Sequence, residues 1–265
     1  MHLYYTHDYR SEKGESHRLL AKAVAVCLYA SEYGDAAGCE AQNGFICAEN
    51  DLNSFQDDLH VCDLDERISC MSDDSRVICM NRADELVGRM QRMYPAGNTK
   101  QSGKPFIPGF ASFSISHSAN TWAVLILDDP DPELSCGLDI QYRRKADSAG
   151  IASRFFAAED AEMIASFADR ESSDAEFFRI WARREALIKA IGGSVADTDI
   201  PAVRWDSAEY RGKHFVIRDV GIPAAVETEF RADEVCSGNR EVREKSVLSA
   251  AICIGYAIEK DSCIK

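Results

Sequence analysis

Glu185 and Lys189 stand four residues apart in the run WARREALIKA, residues 181–190. On a helix this spacing puts both on one face, and the ordinary outcome is a solvated ion pair worth about 0.3–0.5 kcal/mol. The alternative is that each group is reserved for chemistry of its own. Two further runs carry groups that make the alternative worth pursuing. In CGLDIQ (136–141) an aspartate, Asp139, sits in what reads as a short strand, an element aspartate disfavours; Gln141, two residues on, shares its face. SFSISHS (112–118) alternates, with Phe113, Ile115 and His117 on one face of a strand and the serines, Ser116 among them, on the other. Before it, NTKQSGKPFIPGF (98–110) reads as a loop punctuated by Gly and Pro that carries Lys104. Singly, each has a structural explanation: a loop lysine, a rim histidine, an aspartate at a turn or edge. In this order and at these gaps, they form a constellation with more weight than its parts.

The elements that must position these groups are a mixture of helices and strands. HRLLAKAVAVCLYASEYG (17–34) has helical apolar spacing, carries His17 and Arg18, and stops at Gly34. Residues 35–80 have weak periodicity and read as an insertion; DELVGRMQRMY (84–94) returns to a helical pattern ended by Pro95 and Gly97. TWAVLIL (121–127) follows the serine strand closely enough to pair with it as a hairpin. DDPDPE (128–133), acidic and proline-broken, is the candidate linker. AEDAEMIASFA (158–168) and SSDAEFFRIWARREALIKAIGG (172–193) read as helices, the second capped by Ser173 or Asp174 and closed by Gly192-Gly193. HFVIRDV (214–220) and VLSAAICIGYAIE (247–259) read as strands. Strands and helices do not alternate regularly, which favours an α+β fold over a doubly wound sheet.

Composition narrows the partners. The chain has 265 residues, enough for one large domain or two smaller ones, with 46% hydrophobic and 28% charged residues. A formal charge of −14 argues against binding nucleic acid, so an anionic ligand must be held by a local basic cluster such as Arg143, Arg144 and Lys145. No apolar run approaches the roughly 20 residues of a membrane span, and MHLYYTHDYR lacks the layout of a signal peptide. The ten cysteines include no Cys-x-x-Cys pair, so the expectation is a reduced, cytoplasmic protein whose cysteines are small apolar fillers.

The islands SGKPFIP, FSISHS, GLDIQ and WARREALIK resemble the Sfp-type 4′-phosphopantetheinyl transferases, whose pattern is a Gly-Lys-Pro loop, an Ile-Ser-His-Ser strand, a Gly-x-Asp strand and a Trp-x-x-Lys-Glu-x-x-x-Lys helix. The resemblance covers residues 103 to 193 well and residues 35–95 poorly. It implies two similar α+β halves, 1–131 and 132–265, packed as an intramolecular pseudo-dimer with the site in the cleft between them. It implies coenzyme A as co-substrate, Mg2+ as cofactor, an apo acyl or peptidyl carrier protein as partner, and a chain that works as a monomer. By the same resemblance Ser116, His117, Lys104 and Arg18 contact the 3′-phosphate of coenzyme A. Asp139, Glu185 and Gln141 form the metal site. Lys189 touches the diphosphate, Glu185 accepts the serine proton, and Trp181 packs the helix. The chemistry is coherent, since Mg2+ takes hard oxygen ligands and bridges phosphates. Two positions depart from the pattern. Gln141 stands where many members have Glu, leaving the metal a charge short, and Arg184 stands where Lys is usual. Gln141 and the insertion leave a second reading open, a non-catalytic module of the same fold that binds coenzyme A or the carrier.

Overall fold

Strand formation divides the chain into two sheets. The computed structural model describes residues 1–33, 59–93, 104–129, 134–194, 196–197, 199–223 and 248–257. In chain order the first part holds β1 (His2–Thr6), α1 (Glu15–Tyr33), β2 (His60–Asp63), α2 (Leu64–Ser69), α3 (Asp73–Gly88), β3 (Gln91–Met93), β4 (Lys104–Ile107), β5 (Ala111–Ser118) and β6 (Thr121–Leu127). Its strands form a six-stranded sheet in the order β2-β1-β6-β5-β4-β3. The second part holds β7 (Ser135–Tyr142), α4 (Ser148–Phe155), α5 (Ala158–Ala165), α6 (Arg170–Ile191), β8 (Ser207–Tyr210), β9 (Lys213–Asp219) and β10 (Leu248–Ala257), with a four-stranded sheet ordered β7-β10-β9-β8. The expected α+β class is what the elements build.

Alternation along the strands distributes side chains over three cores. In β6, Trp122, Val124 and Ile126 face the core beneath α1 and α3, while Ala123, Leu125 and Leu127 face the other way. Those three join Leu3 and Tyr5 of β1, Cys136, Leu138 and Ile140 of β7 and Ala250, Ile252 and Ile254 of β10 in a core shared by both sheets. The third core lies between α6, with α4 and α5, and β9 and β10. β7 therefore has two distinct faces: its even-numbered residues point into the shared core, and Gly137, Asp139 and Gln141 point the opposite way.

The hairpin of residues 112–118 with 121–127 forms as expected, with Ser118 opposite Thr121 and the turn residue Ala119 at φ 50°. The helix expected from residue 17 forms as α1. Several expectations need correction. Residues 60–80, read as insertion, build β2, α2 and the first half of α3. The helix read over 84–94 is α3, which begins at Asp73 and gives way to a strand at Gln91. Its buried face consists of Cys79, Ala83 and Val87, small residues, while the larger Val77 and Ile78 lie exposed, so the helical signature is weak. Lys104 lies on a strand and not in a loop, because β4 bridges β3 and β5 and buries Ile107. α4 was not anticipated. α6 starts earlier than read: Asp169 caps it by accepting the Ser172 amide at 2.8 Å, while Ser173 and Asp174 bond to Ile164 and Ser148. The expected stops at Gly34, Pro95 and Gly97, the first part of the insertion and most of the linker lie outside the described residues. No described helix is long and apolar enough to cross a membrane. Of the described cysteines, Cys27, Cys79, Cys136 and Cys253 are buried, in keeping with apolar fillers.

Candidate active site

The face of β7 that carries Asp139 lies against α6, and Gly137 is what permits the contact. A Cβ at Gly137 would stand 1.8 Å from the Ala186 carbonyl oxygen, far closer than any non-bonded contact allows, so no other residue fits without moving the helix. The long helix is held at both ends, by Asp169 at its start and by Gly192 in the left-handed conformation (φ 67°) at its close. The result places Glu185 and Lys189, one turn apart, over Asp139.

Asp139 is buried and its carboxylate is fully engaged. Oδ1 accepts Lys189 Nζ at 2.7 Å and Ser116 Oγ at 2.9 Å; Oδ2 accepts Gln141 Nε2 at 2.8 Å. A carboxylate only accepts, so Gln141 must turn its amide nitrogen to it. Lys189 Nζ also donates to the Leu138 carbonyl at 2.9 Å. The Glu185–Lys189 ion pair suggested by helical spacing is absent among the described residues, because Lys189 reaches across to the strand instead. Glu185 is half-buried and makes no hydrogen bond to a described residue. Burial, and then the neighbouring charge of Asp139, raises its pKa above the usual carboxylate value, with Lys189 and Arg184 opposing.

The joint between the sheets supplies the rest of the site. The serines of β5 lie along the free edge of β7: Ser114, Ser116 and Ser118 accept the amides of Leu138, Ile140 and Tyr142 at 3.0, 3.2 and 3.0 Å. Edge amides that would otherwise be unpaired are thus satisfied by side chains of the other sheet. His117, pointing away from the serines, is exposed and has its ring 5.0 Å from Tyr9. Its cross-strand neighbour Trp122 donates its indole N–H to Ser16 at 2.8 Å, which holds the first turn of α1, with His17 and Arg18, beside this end of the hairpin. Arg18 is two-thirds exposed, 3.7 Å from Glu15.

The structure brings together Asp139, Gln141, Ser116, Lys189 and Glu185. His117 and Arg18 stand at the hairpin end, outside that cluster. Lys104 is buried beneath it: its ammonium donates to the Cys136 carbonyl and, at 3.4 Å, to the Lys189 carbonyl, and burial lowers its pKa. It joins the first sheet to β7 and the end of α6, and presents no exposed charge. Arg184 is buried and donates to the Asp197 carbonyl at 2.8 Å. Trp181 packs against Phe156 and Phe177, as a packing residue should. Sequence reasoning missed Arg183, which is 5% exposed and reaches Asp219 through Nε at 2.7 Å, Asp206 at 3.1 Å and the carbonyls of residues 203–205. Its only signal was an arginine on the helix's apolar side. The serine joint did have a signal, serine at every second position of a strand.

This α+β architecture, with two carboxylates and an ammonium packed where a helix crosses a sheet, suits chemistry on phosphates. Residues 135–233 match the family model of the 4′-phosphopantetheinyl transferase superfamily. Among similar proteins are the 4′-phosphopantetheinyl transferase psf-1 of Bacillus pumilus, 37% identical over 37% of this chain and 40% of the relative; AcpT of Salmonella typhi, 39% identical over 31% and 41%; and HetI of Nostoc sp., 31% identical over 41% and 44%. The aligned segments span less than half the length of the curated relatives matched. The matched segment begins at β7 and contains Asp139, Gln141, Glu185 and Lys189, so the family resemblance read from the motifs is found again in the part of the chain that builds the cluster.

Proposed function

We propose that the protein is a 4′-phosphopantetheinyl transferase that moves the phosphopantetheine arm of coenzyme A onto a serine of an apo acyl or peptidyl carrier protein. The observation that carries the reading is the half-buried Glu185, held without a hydrogen bond to a described residue beside the Asp139–Lys189 ion pair within the family-matched segment. Two neighbouring carboxylates, partly neutralised by a lysine, fit a divalent cation that is bound by few protein oxygens and completed by substrate phosphates. Asp139 and Glu185 would hold Mg2+ there, with the Gln141 amide oxygen as a third candidate. No cluster of three or more His, Cys, Asp or Glu suited to a metal occurs among the described residues. Bound Mg2+ would neutralise diphosphate charge.

The chain's own groups then have separate tasks. Glu185, with its raised proton affinity, takes the proton of the carrier serine directly or through a water. The serine oxygen forms a bond to the β-phosphorus, the bond to the adenosine 3′,5′-bisphosphate oxygen breaks, and that product leaves with the electron pair. Lys189 leaves Asp139 for the diphosphate as a point charge. His117 and Arg18, at the hairpin end, receive the 3′-phosphate. Lys104, buried in the joint, supports this site from beneath. The halves 1–131 and 132–265 form the pseudo-dimer, with the substrate cleft along their joint. The working form is a cytoplasmic monomer, testable by sedimentation.

Incubation with coenzyme A, Mg2+ and a panel of apo carriers tests the reading by mass: a carrier heavier by one phosphopantetheine supports it. Asp139→Ala and Glu185→Ala should lose turnover while remaining folded. Binding of coenzyme A by calorimetry with no mass shift on any carrier would instead favour a binding module, the reading motivated by Gln141.

A further inference from the structure

The carboxylate of Asp139 receives three donors, and they differ in whether they can stay during turnover. Lys189 is a charged donor on a flexible stem, the one expected to move to the diphosphate. Gln141 fixes Oδ2 only. Ser116 is the remaining donor to Oδ1, and its geometry leaves it one role. It is buried, 5% exposed, and its oxygen accepts the Ile140 amide at 3.2 Å, so its single hydrogen is directed to Asp139 at 2.9 Å. A neutral hydroxyl can hold a carboxylate oxygen without competing in charge with a bound cation. Ser114 and Ser118 accept β7 amides in the same way and make no bond to a carboxylate among the described residues, so of the three only Ser116 connects the sheet joint to the site.

We propose that Ser116 is a positioning residue that orients the Asp139 carboxylate from the opposite sheet, and is not primarily a ligand for a substrate phosphate. The inference rests on the proposed function, because it assigns Asp139 to a metal. It makes the joint between the sheets part of the site: a displacement of β5 along β7 moves the Asp139 oxygen.

The two neighbouring serines are built-in controls. In the whole chain, Ser114→Ala, Ser116→Ala and Ser118→Ala each remove one acceptor from the β7 edge, so each should lower the thermal midpoint, Ser116→Ala the most because it also loses the bond to Asp139. Mn2+ binding, read from the electron paramagnetic resonance signal of the free ion, should weaken about tenfold or more in Ser116→Ala and stay within about twofold of wild type in the other two. Ser116→Thr, which keeps the hydroxyl, should restore it. Transfer from coenzyme A and from 3′-dephospho-coenzyme A should fall by the same factor in Ser116→Ala. A loss confined to coenzyme A would assign Ser116 to the 3′-phosphate and overturn the proposal, as would Mn2+ binding in Ser116→Ala equal to that of Ser114→Ala. If wild type binds no Mn2+, the metal reading itself fails and the inference falls with it.

Discussion

Glu185 is half-buried on α6, without a described hydrogen-bond donor, and burial together with the charge of Asp139 raises its pKa. A desolvated, unpaired carboxylate destabilises the fold that holds it, and the proposed role as metal ligand and proton acceptor is what such a group would be kept for. Glu185→Gln preserves shape and removes the charge. It should raise the thermal midpoint of the ligand-free protein while lowering transfer by about 100-fold or more. A variant less stable than wild type would mean that the carboxylate holds the fold, contrary to the argument. The residue types were legible in sequence, but their pairing was not. Helical spacing sees Glu185 and Lys189 only as neighbours on one face; it cannot see the strand that offers Lys189 a better partner in Asp139. Nor could the Gly-Lys-Pro run reveal that the Lys104 ammonium is turned inward onto two backbone carbonyls.

Among the elements, the contact between β7 and α6 decides whether the cluster exists. Gly137→Ala puts a methyl group against the backbone of Ala186, which has no flexible end to yield. The cost should be at least about 1–3 kcal/mol, the scale of overpacking, and the helix should move off the strand, separating Asp139 from Lys189. Chemical denaturation measures the first effect. The second should appear as a larger loss of Mn2+ binding than in Gly88→Ala, at the end of α3, where an added Cβ meets nothing within 4 Å. α6 was readable because its core side is strongly apolar and Gly192 ends it. α3 was obscured by a buried face of cysteine, alanine and valine, and the insertion reading absorbed its first turns. Here residue size, not spacing alone, sets how visible an element is.

On the scale of the whole molecule, the two sheets share one core, drawn from β1 and β6 on one side and β7 and β10 on the other, and they meet again along the serine edge. Neither can expose its share without losing a large apolar surface, so the chain should unfold as one unit. Asp219, at the end of β9 in the second sheet, offers a test. Burial alone would raise its pKa, but Arg183 and Arg179 outweigh that and hold it below the usual carboxylate value. Its folded pKa is therefore depressed: its stabilisation is complete above the unfolded value of about 3.9 and is lost as pH falls through the lower folded value. Asp219→Asn should cost about 1–2 kcal/mol at neutral pH, a figure that allows for screening of a side chain 42% exposed, and should flatten the decline in stability below pH 4. With Trp181→Phe and Trp205→Phe in the background, the one remaining tryptophan is Trp122, buried in the first sheet. Its fluorescence should follow the same transition, shifted by Asp219→Asn as much as the circular dichroism of the whole chain. A Trp122 transition that ignores the substitution would show that the halves melt separately, and a site assembled across their joint could not then depend on a common core.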